Sequence, residues 1–121
     1  MIAGPEPSRA GPPPVLNEPI LADLKRHLGN TQVDQFIEQF ITQCRECVAI
    51  IANSGDRDKV RQNAHIMVSL AGNLGCMELM TNCRLLMNDL RSGTADVTAQ
   101  VAAVNASAIQ AVAALEKYLA A

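Results

Sequence analysis

Aromatic side chains are almost missing from this chain: its 121 residues include no tryptophan, one tyrosine and two phenylalanines. A core built without them rests on Leu, Ile, Val, Met and Ala, the residues of packed helices. An excess of one charge is missing too. Ten Lys and Arg stand against twelve Asp and Glu, the net charge is −2, and no basic run occurs. The electrostatic footprint of a DNA- or RNA-binding protein is therefore absent. No apolar run approaches the ~20 residues of a membrane span, and the N-terminus lacks the apolar region of a signal peptide. The expectation is a cytoplasmic protein that meets neither nucleic acid nor membrane. No segment alternates with period two, which excludes strands. No GxxxxGK[ST] loop and no carboxylate cluster is present, so nothing points to kinase activity of its own.

Four cysteines are present: Cys44, Cys47, Cys76 and Cys83. In a reducing compartment they are expected as free thiols in or near the core. Cys44-x-x-Cys47 lies inside a helical pattern rather than beside a strand, unlike a thioredoxin motif. No second pair has zinc-ligand spacing, so no metal site is expected. Residues 1–15, MIAGPEPSRAGPPPV, hold five of the six prolines and read as a disordered or extended arm. The domain is expected over 16–121.

Five helices follow from periodicity and punctuation. The first starts near Asn17, with Pro19 in its first turn, and stops at Gly29. The second is long. It opens on a capping-box-like Thr31/Asp34 pair, carries Val33, Phe36, Ile37, Phe40, Ile41, Cys44, Cys47, Val48 and Ile51 at helical spacing, and ends at Ser54-Gly55. The third is capped by Asp56 and stopped by Gly75. The fourth covers about Met77 to Arg91, with Leu79, Cys83, Leu86, Met87 and Leu90 inward. The fifth runs from Thr94 or Ala95 to about Leu119. Short links make sequential helices antiparallel neighbours. The fold class is all-α: an up-and-down four-helix bundle with an additional short N-terminal helix.

The third helix, DRDKVRQNAHIMVSLAGNLG, is the most informative. Val60, Ala64, Met67, Ala71 and Leu74 form one apolar stripe. His65 lies roughly 140° round the helix from that stripe's centre. Arg61 precedes it by four residues, and Ser69 and Gly72 follow it by four and seven. Such a histidine has little to pack against and room for a large partner to approach. His27, near the end of the first helix, is expected in a simpler role, where an imidazolium would complement the helix dipole.

The stretch Ala64-His65-Ile66-Met67-Val68-Ser69-Leu70-Ala71-Gly72-Asn73-Leu74-Gly75 resembles the signature of histidine-containing phosphotransfer (HPt) domains, approximately A-H-x-L-K-G-x-A-x-x-L-G. Ala64, His65, Leu74 and Gly75 match directly and Met67 in kind. The likeness continues in Leu79…Cys83-x-x-Leu86, where the family often has L-x-x-L-C-x-x-L-E and Met87 replaces the final acid. Two departures stand beside the histidine. Val68 occupies the usual lysine position and Ser69 the usual glycine. The lysine places positive charge by the phosphoryl group, and the glycine clears space for the partner.

The resemblance implies a relay in which His65 is the phospho-acceptor and exchanges a phosphoryl group with an aspartate on a receiver domain. Neutral imidazole is a competent nucleophile near neutral pH, since histidine titrates near ~6.5. The transition state is loose, so alignment and charge stabilisation carry the reaction. Mg²⁺ is expected on the receiver, and no cofactor on this chain. Arg61, Gln62, Ser69 and Gly72 are the expected phosphate-adjacent residues, Arg61 standing in for the missing lysine. Ile66 and Val68 are the expected docking residues. Partners would be response-regulator receiver domains and a hybrid histidine kinase. The alternative is a degenerate HPt-like binding module that docks a receiver or kinase without being phosphorylated. Starting at Met and ending in a helix, the chain is expected to be a free-standing shuttle.

Overall fold

The computed structural model describes residues 13–120. They form five helices: α1 (Glu18–Leu28), α2 (Asn30–Asn53), α3 (Arg57–Leu74), α4 (Met77–Arg91) and α5 (Thr98–Ala120), with no strand among the described residues. Helices α2 to α5 make the up-and-down bundle. Sequential neighbours pack together and α5 closes the ring against α2, while α1 lies across α2 and α3. The expected all-α architecture is the observed one.

Each apolar stripe becomes a face of one shared core. The five stripe residues of α3, Val60, Ala64, Met67, Ala71 and Leu74, are all buried. They meet Val33, Ile37, Phe40 and Cys44 of α2, Leu79, Cys83 and Leu86 of α4, and Val104, Ala111 and Leu115 of α5. All four cysteines are free and buried. Burial pushes the Cys76 and Cys83 thiols up to about 12 and Cys44 to about 11, from an ordinary 9.0. They are inert core side chains at neutral pH.

Helix α3 is held at both ends. The Asp56 carboxylate accepts from the backbone N–H groups of Asp58 and Lys59. At the other end Gly75 adopts a left-handed φ of 80°. The N–H of Cys76 reaches Ala71 O at 2.8 Å and that of Gly75 reaches Gly72 O at 3.3 Å, a Schellman closure. The segment before α1 is tied to the same corner. Asn17 N–H donates to Gly75 O at 2.7 Å, and Pro14 O accepts from Glu78 N–H at 2.9 Å. The second bond satisfies a donor that the start of α4 would otherwise leave open. Pro14, near the end of the stretch expected as a disordered or extended arm, is thus tied to α4 through its carbonyl; residues 1–12 of that arm fall outside the described residues. At the far end of α1, the Lys25 ammonium lies 4.6 Å from the Tyr118 ring centroid, a cation–π contact with α5.

Several expectations need correction. Helix α2 begins at Asn30 behind Gly29, without a side-chain cap; the Thr31/Asp34 box is not used, because a single residue separates α1 from α2. Helix α5 begins at Thr98 rather than Thr94 or Ala95. The Thr94 and Ala95 carbonyls instead accept from the Arg57 guanidinium at 2.7 and 3.4 Å, and Asp96 receives the N–H and hydroxyl of Thr98. Phe36 lies on the outside of α2, 47% exposed. One helix is, after all, long and apolar enough to cross a membrane by length and composition: α5 over Thr98–Leu119, mean hydropathy 1.3. Scattered Asn, Gln and Ser break any continuous run there, yet the average passes. Its buried side, Val104, Ser107, Ala108, Ala111, Val112 and Leu115, packs into the bundle, and the core helix of a bundle meets the same criterion.

Candidate functional site: an exposed histidine on a capped helix

His65 is the ninth of the eighteen residues of α3, midway between the Asp56 cap and the Gly75 stop. It is exposed, as the stripe geometry requires. Gln62, Ile66, Ser69 and Asn73 share the outer ridge and are exposed too. A helix anchored at both ends and packed along one side holds such a side chain in a fixed direction without covering it.

The two flanks of that ridge differ. Toward α2 lie Asn63 and Leu70. Leu70, Asn73 and Leu74 line a groove of about 370 Å³ with Leu24, Phe36, Gln39, Phe40 and Gln43. Ile66 is 47% exposed and Ile50 of α2 40%. With Phe36 they give this side an apolar character. Phe36 was grouped with the apolar positions of α2 at helical spacing, so the groove was missed; a second aromatic on one broad α2 face was its only signal. Asn63 does not bridge helices: its amide donates to Lys59 O in its own helix at 2.9 Å.

Toward α4 lie Arg61, Val68 and Gly72, all half-buried. Arg61 leans back along α3, with Nη2 4.0 Å from Asp58 Oδ1. Val68 sits at the boundary between ridge and core. Gly72 packs against α4, where a Cβ would stand 3.2 Å from Met80 Sδ; its small size serves the helix contact. Among the residues expected near a phosphoryl group, the structure thus puts Gln62 and Ser69 on the open ridge with His65. Arg61 stands at its edge, and Gly72 lies in the α3–α4 seam. No group of three or more His, Cys, Asp or Glu suited to a metal occurs among the described residues.

Residues 35–121 match the family model of the Hpt domain. The chain belongs to the Hpt domain family. Its role is accordingly histidine phosphotransfer in a two-component phosphorelay, where Hpt domains work with receiver domains and kinases. The solved structure of histidine-containing phosphotransfer protein B (HptB) from Pseudomonas aeruginosa PAO1 superposes with a TM-score of 0.81 at 18% identity, over 88% of this chain and 95% of that one. At that identity the likeness speaks for the fold: the same helical bundle. A search of curated proteins returns no match.

Proposed function

We propose that His65 is the phospho-acceptor of this Hpt domain and relays a phosphoryl group between receiver-domain aspartates in the cytoplasm. An imidazole nitrogen attacks the phosphorus of an aspartyl phosphate. The N–P bond forms, the P–O bond breaks, and the aspartate leaves as carboxylate with the electron pair. The receiver supplies Mg²⁺ and the acidic pocket, and this chain presents the nucleophile rigidly. The observation that carries the reading is the exposure of His65 in the middle of a helix fixed at both ends. Gln62, three residues before His65, and Ser69, four after it, share its ridge and would donate to phosphoryl oxygens, with Arg61 adding charge. Ile66 and Val68, with the apolar rim beyond Ile66, give a receiver or a hybrid histidine kinase its contact area.

The second reading, a binding module that docks a partner without accepting phosphate, draws on Val68: a half-buried apolar side chain stands where the HPt pattern has lysine. Phosphotransfer from a labelled receiver separates the two. Acid-labile, alkali-stable label that disappears in His65→Gln is the expected result. Label retained in that variant moves the acceptor elsewhere, and binding without label favours the docking module.

A further inference from the structure

We infer that Arg84, on α4, supplies the positive charge that Val68 cannot, donating from its guanidinium to the phosphoryl group on His65. This deepens the reading above and depends on it. The warrant is the register of α3 and α4. These helices are consecutive and joined by the tight Gly75–Cys76 turn, so they run antiparallel. Gly72 of α3 meets Met80 of α4, which fixes how they slide past one another. Four residues back along α3 from Gly72 is Val68; four residues on along α4 from Met80 is Arg84. Each step is about 6 Å of helix rise, so the two stand opposite one another. His65 is a further three residues, about 4.5 Å, along the same flank.

The flanks themselves are fixed by other contacts. On α4, Asn82 donates to Ala103 O at 3.5 Å, and Asp89 accepts from Gln100 Nε2 at 2.7 Å. That flank therefore faces α5, and the opposite one, with Met80, Arg84, Met87 and Arg91, turns toward α3. On α3, Leu70 lines the groove shared with α2, which leaves Arg61, Val68 and Gly72 toward α4 and His65 on the side of the outer ridge next to them. The floor of this seam is apolar, with half-buried Val68, Met80 and Met87; its rim carries exposed Arg84 and Arg91. No ion pair holds either arginine among the described residues, whereas Arg61 already faces Asp58. A guanidinium on a flexible stem at the edge of an apolar seam can fork onto two phosphoryl oxygens. Arg91 stands about 10 Å further along α4 than Arg84, level with Arg61. Arg84 changes no bond in the transfer; it offsets charge on the phosphoryl oxygens while the N–P bond forms.

The test uses potassium phosphoramidate, a small phosphodonor that needs no partner protein. His65 nitrogen attacks its phosphorus, ammonia departs, and label is mapped to His65 or His27 by peptide mass spectrometry. Arg84→Ala is expected to slow labelling of His65 about tenfold, the loss of one charge-assisted hydrogen bond. Arg91→Ala should stay within about twofold, Arg84→Lys should recover only part of the loss because an ammonium keeps the charge without the fork, and Val68→Lys should raise the rate in the Arg84→Ala background. The wild-type rate should fall with added salt more steeply than that of Arg84→Ala, a difference that a purely structural role would not produce. An Arg84→Ala rate equal to wild type, or an equal loss in Arg91→Ala, overturns the assignment while leaving His65 as acceptor. Label on His27 but none on His65 of the wild type overturns the acceptor itself, and the role of Arg84 with it.

Discussion

Replacing Gly75 by alanine should destabilise the bundle more than the backbone conformation alone explains. At φ 80° an L-residue costs about 1–2 kcal/mol. The position has a second demand, because a Cβ there would lie 2.8 Å from Asn17 O and 3.3 Å from the Cβ atoms of Asn17 and Ile20. The first of these is backbone and cannot swing aside. To make room, the start of α1 must lift from the α3–α4 corner, which lengthens or breaks the 2.7 Å bond from Asn17 N–H to Gly75 O. Losing that bond costs about 0.5–1.5 kcal/mol, and overpacking about 1–3 kcal/mol more. A total of roughly 2.5–6.5 kcal/mol is expected from these terms. Gly93 is the internal control: its φ is 81°, but a Cβ added there would meet nothing within 4 Å. Gly93→Ala should therefore cost only the conformational ~1–2 kcal/mol. Urea unfolding of both variants gives the comparison, and at roughly 4 °C per kcal/mol for a chain of this size the melting temperatures should separate visibly. Equal losses in the two variants would refute the account of a close approach between α1 and the corner.

Two further outcomes follow. Ile66→Asp should weaken binding of a receiver domain without moving the unfolding midpoint, since Ile66 is half exposed and contributes little to the core; calorimetric titration alongside urea unfolding checks both halves. The buried thiols bear on pH. Cys76 and Cys83 titrate near about 12 when folded against 9.0 ordinarily, so the native state holds these protons more tightly. Their contribution is full below pH 9 and is lost between about 9 and about 12, at up to ~1.4 kcal/mol per pH unit per thiol. Stability measured under reducing conditions should begin to fall above pH 9. Iodoacetamide at pH 8 should leave both thiols unmodified until the protein unfolds.

Periodicity made most of the bundle legible. The α3 stripe, its two caps and the outward direction of His65 all follow from residue spacing and from the chemistry of Asp56 and Gly75. Helix starts that depend on distant partners were not legible. Thr94 and Ala95 look like a beginning for α5, but their carbonyls are engaged by Arg57, thirty-seven and thirty-eight residues earlier in the chain. Gly29 marked the end of α1 correctly without showing that α2 starts at the next residue. At the site, the ridge of α3 was readable because it belongs to one helix. The arginine across the seam was not, because pairing α3 with α4 needs a register that no single helix contains. Arg61 was visible as an i−4 neighbour; its tilt toward Asp58 was not.

The contact between Lys25 and Tyr118 has a practical side. The chain has no indole, and Tyr118 is its only phenol, placed 4.6 Å from an ammonium on α1. Tyrosine emission from this protein therefore originates beside α1, the shortest of the described helices. A receiver that shifts α1 on arrival would change that emission directly, giving an unlabelled optical gauge of whether the N-terminal helix stays in place while the relay is engaged.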